Sequence, residues 1–307
     1  MAALQPQDAE LVQRGARARR TRAPLVDNAR ARRKDTKLAM SSAADTAAAA
    51  AVAGSSEPAA SPLSGRVAIV TGASRGIGRA IAAHLSSLGA SVVLGYAASA
   101  AEADALAAEL PRAVAVRADV SEEAGVRSLF DAAESAFGCA APHILVANAG
   151  VLDDKYPPLA DTATADFDRV LAVNARGAFL CLREAANRLP RGGGGRIVAV
   201  TSSVVASSPT GYSAYTASKA AVEAMVRTMA KELKGTRVTA NCVAPGATAT
   251  DMFFAGKSDE TVRRTAETNP MERLGEAGDI APVVGFLCTD AAEWVNGQVV
   301  RVNGGYV

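Results

Sequence analysis

The chain has 307 residues, of which 49% are hydrophobic and only 4% aromatic, and a formal net charge of +2. This balance is that of an ordinary globular protein and argues against a general role in binding polyanions. At this length one or two domains with a large core are expected, and no run of about 20 apolar residues is present to span a bilayer.

The first 40 residues hold ten Lys/Arg against four Asp/Glu. An alanine- and serine-rich stretch follows, ending in Pro58 and Pro62. Residues 1–61 lack hydrophobic periodicity and are expected to be a disordered extension. A basic tail on a near-neutral domain is no nucleic-acid-binding face, so no nucleic acid partner is expected. The basic, alanine-rich composition suggests a targeting segment, although serine is absent before Ser41 and acids interrupt it. Met40 offers an alternative start. A cytoplasmic location is expected, with the chloroplast as the alternative.

From Arg66 onward, short β-branched runs alternate with helical stretches. Strands are expected at 67–70, 91–94, 113–116, 144–147, 196–200, 237–243 and 298–302, and helices at 76–88, 101–109, 122–137, 165–188, 212–233 and 277–288. Regular alternation predicts an α/β domain over 62–307, a single Rossmann-type, doubly wound parallel sheet of about seven strands with helices on both faces. Ligands of such sheets lie at the carboxyl ends of the strands, near the switch in strand order. Cys139, Cys181, Cys242 and Cys288 are widely spaced without a C-x-x-C pair, so they predict neither a metal site nor disulfides. His84 and His143 are expected to be structural.

The first strand runs into Thr71-Gly72-Ala73-Ser74-Arg75-Gly76-Ile77-Gly78 and then a helix. Glycines permit a tight turn and close backbone approach to a pyrophosphate, and the helix N-terminus offers free N–H groups. The tip of the second strand reads Tyr96-Ala97-Ala98-Ser99, without an acid until Glu102. A carboxylate there would select NAD through the ribose hydroxyl. Its absence, with Arg75 available to pair with a 2′-phosphate and Ser99 to donate a hydrogen bond, points to NADPH/NADP+.

The spacing G-x-x-x-G-x-G, with Asp119-Val120, Asn148-Ala149-Gly150, Asn174, Ser202, Tyr215-x-x-x-Lys219 and Pro245-Gly246 following in order, resembles the short-chain dehydrogenase/reductase family. The resemblance covers essentially all of 62–307. Within the family the chain looks most like the plant-type NADPH-dependent aldehyde reductases, kin of the 3-oxoacyl-carrier-protein reductases and fungal naphthol reductases. The resemblance implies that Asp119 receives the adenine amino group, that Val120 packs on the ring, and that Asn148, Ala149 and Gly150 line the cofactor channel. Thr248 and Thr250 match positions that fix the nicotinamide carboxamide, Thr250 being the stronger candidate.

Tyr215 and Lys219 are four residues apart at a helix start and share one face. A free tyrosine has a pKa near 10. An adjacent ammonium is expected to lower it, making Tyr215 the general acid for carbonyl reduction. Ser202 rather than Ser203 is expected to polarise the carbonyl. It stands thirteen residues before Tyr215, a spacing common in the family. The resemblance gives Asn174 a water that links Lys219 to solvent.

After Thr250, the segment Asp251–Lys257 and a polar helical stretch to Thr268 resemble the substrate lid of the family. Met252, Phe253 and Phe254 are available to cover a nonpolar substrate, with Tyr212 and residues 151–158 completing the pocket. No charged anchor for an acidic substrate stands out. The expected activity is an oxidoreductase moving hydride from NADPH to an aldehyde or ketone, the partner being a small-molecule carbonyl compound. A 3-oxoacyl-carrier-protein reductase and a non-catalytic dinucleotide-binding regulator are the alternatives. The resemblance further implies a homodimer or homotetramer paired through helices 165–188 and 212–233.

Overall fold

In the computed structural model, which describes residues 61–307, the β-branched runs form one sheet in which every pairing is parallel. The strands are β1 (Val67–Thr71), β2 (Ser91–Tyr96), β3 (Ala113–Arg117), β4 (Ile144–Ala147), β5 (Arg196–Val200), β6 (Thr239–Pro245) and β7 (Val299–Val302). Their order is β3-β2-β1-β4-β5-β6-β7, so the chain switches direction between β1 and β4. The helices are α1 (Gly76–Ser87), α2 (Ala100–Glu109), α3 (Glu123–Phe137), α4 (Thr164–Leu171), α5 (Ala178–Arg188), α6 (Val204–Ser207), α7 (Ser213–Glu232), α8 (Asp251–Phe254), α9 (Asp259–Glu267) and α10 (Ala277–Cys288).

Both faces of the sheet are covered, because successive side chains of a strand point opposite ways. Val67 and Ile69 of β1 join one cluster with Leu129 and Phe130 of α3, Leu182 of α5 and Val226 of α7. Ala68 and Val70 join the other with Ile81 and Leu85 of α1 and Val284 and Leu287 of α10. Full burial of each large aliphatic side chain is worth about 1.5–3 kcal/mol. Two-sided burial explains why the strands read as continuous apolar runs rather than alternating ones. The cysteines are unpaired, and three of them are buried. Among the described residues no helix is long and apolar enough to cross a membrane.

One expected helix is interrupted. Residues 165–188 fold as α4, a π-helical turn at Ala172–Gly177, and α5. The turn carries Asn174, which is 1% exposed. Its Oδ1 accepts from the Val151 amide at 2.8 Å, and its Nδ2 donates to Val151 O at 2.9 Å and Ser218 Oγ at 3.1 Å. An extra residue in the turn lets an amide side chain engage both polar groups of a neighbouring backbone unit. The expected disordered extension falls, but for Ser61, outside the described residues.

Candidate active site

The switch point is clamped by polar side chains. The Thr71 hydroxyl at the end of β1 accepts the amides of both Asn148 and Ala149, each at 3.0 Å. Asn148 Nδ2 donates to Thr71 O at 2.9 Å and Gly72 O at 3.1 Å. The sequence placed Asn148 in the cofactor channel; its amide also fixes the glycine turn to the end of β4.

The turn itself has the shape its glycines require. Gly72 (φ +64°) and Gly76 (φ +55°) are left-handed, and a Cβ on Gly78 would lie 2.1 Å from Gly72 O. Ser74 is buried within the turn. Arg75 heads α1 without a side-chain cap, so the first amides of the helix, at Gly76, Ile77 and Gly78, have no intrahelical partner. Such an amide cradle fits a pyrophosphate. At the tip of β2, Tyr96 is half-buried, Ala97 and Ala98 are exposed, and Ser99 opens α2 without capping it. Arg117 pairs in register with Tyr96, and its Nε donates to Ala97 O at 3.3 Å. This guanidinium beside the acid-free tip was missed from sequence, because only strand register brings it there. Arg75 lies at the mouth, 3.6 Å from Asp251, with both side chains largely exposed.

The two residues expected at the adenine site have defined local partners. Asp119 Oδ1 is engaged by the Ser121 amide at 2.9 Å and hydroxyl at 2.7 Å, a turn that leads into α3. Val120 is 6% exposed, and a Cβ on Gly177 would lie 2.8 Å from its Cγ2. Its side chain thus packs against the π turn.

Around Tyr215 the expected residues converge. An added Cβ on Gly150 would stand 3.3 Å from Asn174 Oδ1 and 3.4 Å from Lys219 Nζ, which places these three groups together. Lys219 is 4% exposed, donates to Val200 O at 2.8 Å, and holds its ammonium 5.7 Å from the centre of the Tyr215 ring. Burial pulls the lysine pKa down to about 8. The two serines separate cleanly. Ser203 is 3% exposed, its Oγ donating to Ala244 O at 3.2 Å and accepting from Asn303 Nδ2 at 3.0 Å. Ser202 is half-exposed, its Oγ accepting from the Val204 amide at 3.3 Å, and it stands close enough to Tyr215 to bear on its pKa.

The expected lowering of the tyrosine pKa does not occur. Burial pushes Tyr215 up to about 12, and the opposing pull comes from Ser202 rather than Lys219. Desolvation of the phenolate outweighs a cation that lies beside the ring. The site therefore presents a protonated phenol, a hydroxyl beside it and an ammonium within reach, a set able to protonate a carbonyl oxygen.

Pro245 ends β6, and Gly246 donates to Val302 O at 2.9 Å. Thr248 is buried with its hydroxyl on Gly246 O at 3.0 Å. Thr250 Oγ1 caps α8 by accepting from the Phe253 amide at 3.3 Å, and its methyl would lie 3.3 Å from a Cβ on Gly76. Its hydroxyl thus has a capping role, while its position brings the lid onto the glycine turn. Leu152, Pro157, Tyr212 and Tyr215 line one depression, whose lining does not include Met252, Phe253 or Phe254. Lys257, between α8 and α9, escaped the sequence reading; it sits among Phe253, four residues before it, and Tyr156 and Tyr212, rings contributed by two distant segments.

Residues 72–307 match a family model described as enoyl-(acyl carrier protein) reductase. The chain is 58% identical over 259 residues to an NADPH-dependent aldehyde reductase-like protein, chloroplastic, of Arabidopsis thaliana, covering 80% of this chain and 96% of that one. It is 53% identical to NADPH-dependent aldehyde reductase 2, chloroplastic, of the same plant, with coverage of 79% and 94%. A short-chain dehydrogenase from Burkholderia cenocepacia in complex with NADP superposes with a TM-score of 0.74 at 36% identity, covering 80% of this chain and 99% of that one. With its glycine turn, parallel sheet and Tyr215–Lys219 helix, the chain belongs to the short-chain dehydrogenase/reductase family.

Proposed function

We propose that this oxidoreductase uses NADPH to reduce the carbonyl group of an aldehyde or ketone, with Tyr215 as the proton donor. The observation that carries the reading is the meeting of Asn174, Ser202, Tyr215 and Lys219 at the carboxyl edge of the sheet, beside an amide cradle at the switch point. The cradle suits the dinucleotide because the first turn of α1 is uncapped and the missing Cβ at Gly78 lets the helix start pack directly against the glycine turn. Gly72, Ser74, Gly76, Ile77 and Gly78 hold the pyrophosphate, Arg75 with Arg117 favours the 2′-phosphate, and Pro245, Gly246, Thr248 and Thr250 flank the nicotinamide. When bound, NADPH supplies the hydride.

The chain's own residues handle the oxygen. Ser202 donates to the carbonyl oxygen and stabilises its developing charge. Burial keeps Tyr215 protonated before reaction, the state a donor needs. The Lys219 ammonium stabilises the phenolate that remains, and Asn174 and Lys219 form the route by which the proton is restored. The aldehyde reductase names of two relatives at 53–58% identity favour small carbonyl substrates over carrier-bound ones. The chloroplastic names of the same relatives favour plastid location, which fusion of residues 1–61 to a fluorescent protein tests. Exposed Phe167 on α4 and Phe179 on α5, 38% and 42% accessible, suit a homodimer or homotetramer, which light scattering tests.

The deciding experiment is NADPH oxidation by the purified protein against aldehydes, ketones and acetoacetyl thioesters. Wild type should reduce an aldehyde or ketone. Tyr215→Phe should lose about 10²–10⁴-fold in kcat while binding NADPH as wild type does. Full activity in that variant refutes the mechanism, and a preference for the thioesters favours the carrier-protein alternative.

A further inference from the structure

The segment that follows Thr250 is fastened to the loop after β4 by a dense set of contacts. A Cβ on Gly256 (φ +70°) would lie 1.9 Å from Asp154 O, so only glycine permits this approach. Tyr156 itself has a left-handed backbone (φ +50°), and a Cβ on Gly211 would lie 2.6 Å from its carbonyl oxygen. The Tyr156 hydroxyl donates to Ala255 O at 2.9 Å. Lys257 Nζ donates to the Tyr156 hydroxyl and to Phe253 O, the latter at 2.7 Å. Its ammonium stands 4.2 Å from the Tyr156 ring centre, 4.7 Å from Phe253 and 5.7 Å from Tyr212. Tyr212 in turn packs on Tyr156 at 5.0 Å and edge-on to Tyr215 at 6.4 Å.

We propose that Lys257 is the latch of the substrate lid, its ammonium drawing Tyr156, Tyr212 and Phe253 into one aromatic cage that sets the wall of the pocket beside Tyr215. The proposal rests on the carbonyl-reductase reading for what the pocket binds, not for the latch itself. Among the described ion pairs none involves Lys257. The cage therefore holds its charge through π faces and oxygen dipoles alone. The π faces attract the ammonium, and the amine N–H groups keep their oxygen acceptors in either protonation state. The titratable groups around it are Tyr156 and Asp154 on the loop after β4, Tyr212 ahead of α7, with Tyr306 and Tyr215 beyond Tyr212. Burial pushes Tyr156 upward, so the tyrosine stays protonated while Lys257, pulled down to about 8 by burial, loses its proton first. A pKa below the free value in the closed cage means that closure does not depend on the ammonium being retained at high pH, so the latch rests on the contacts themselves. Lys257 is a positioning residue: it acts on binding through the cage and touches no reacting atom.

The test compares wild type, Lys257→Met and Lys257→Arg, by two readouts. Chymotryptic cleavage after Phe253 and Phe254 at pH 7 reports lid opening without any turnover. Lys257→Met should be cut about tenfold faster than wild type, and Lys257→Arg at the wild-type rate, because a guanidinium keeps the cation–π contacts. In kinetics with a reducible carbonyl compound at pH 7, the KM of Lys257→Met should rise severalfold while that of Lys257→Arg stays at the wild-type value. Equal cleavage of all three proteins, or a Lys257→Met KM equal to that of wild type, overturns the latch. Loss of turnover in every variant with the cleavage pattern intact would instead tell against the carbonyl-reductase reading.

Discussion

Gly78→Ala is a test of the cofactor cradle in which two physical effects oppose each other. Gly78 lies inside α1, where alanine ordinarily gains about 1 kcal/mol over glycine through backbone entropy. Here the added methyl would lie 2.1 Å from Gly72 O and 2.5 Å from Asn148 Nδ2. Neither can yield alone, since Asn148 Nδ2 is bonded to both Thr71 O and Gly72 O. Restoring van der Waals contact requires the helix and turn to separate by more than about 1 Å, an overpacking cost of about 1–3 kcal/mol. Breaking one Asn148 bond costs about 1 kcal/mol more. Subtracting the propensity gain leaves a net loss of about 1–3 kcal/mol, a fall in Tm of about 2–4 °C per kcal/mol at this size. The displaced helix N-terminus should also weaken NADPH binding by about tenfold, or 1.4 kcal/mol. Thermal melts and fluorescence titration with NADPH measure the two quantities separately. A variant that melts at or above the wild-type temperature and binds NADPH unchanged would refute the cradle argument.

The paired serines give a separation of roles: Ser202→Ala should lose about 10²-fold or more in kcat with Tm unchanged, whereas Ser203→Ala should keep most of its kcat and lose about 1 kcal/mol of stability with its Ala244 and Asn303 bonds, as turnover and thermal melts would show. Asn174→Ala strips partners from the half-buried Val151 amide and carbonyl, and at about 1–3 kcal/mol for each group left unpaired it should lower stability in urea by about 2–6 kcal/mol. The Lys219 pKa of about 8 sets a pH dependence: the ammonium is present below that value and lost above it. In a Lys257→Arg background kcat/KM should therefore be flat to about pH 8 and then fall about tenfold per unit, and a flat profile to pH 10 would remove Lys219 from the chemistry.

Much of this protein is written locally. The seven strands fall within two residues of where their β-branched runs predict them, because burial on both faces demands unbroken apolar stretches. The glycine turn is legible because each glycine answers a steric need that two or three neighbours in the chain announce. The family resemblance then follows from ordered motifs, and with it the residues that gather around Tyr215. The spacing to Tyr215 favours Ser202 over Ser203, and Ser203 is the buried one of the two.

What the sequence left open depends on which distant segments meet. Strand register alone sets Arg117 beside the tip of β2, and packing against Gly177 turns Val120 inward. The π turn at Asn174 exists because that amide finds Val151, a partner 23 residues away. The cage around Lys257 draws on three separate parts of the chain. The direction of the Tyr215 shift was misjudged for the same reason. A cation four residues along the helix is visible in the sequence, whereas desolvation is the summed exclusion of water by everything that packs around the ring. Composition and periodicity determine which surfaces must be buried; the tertiary structure decides what each buried or half-buried polar group then faces, and that fixes its charge and its chemistry.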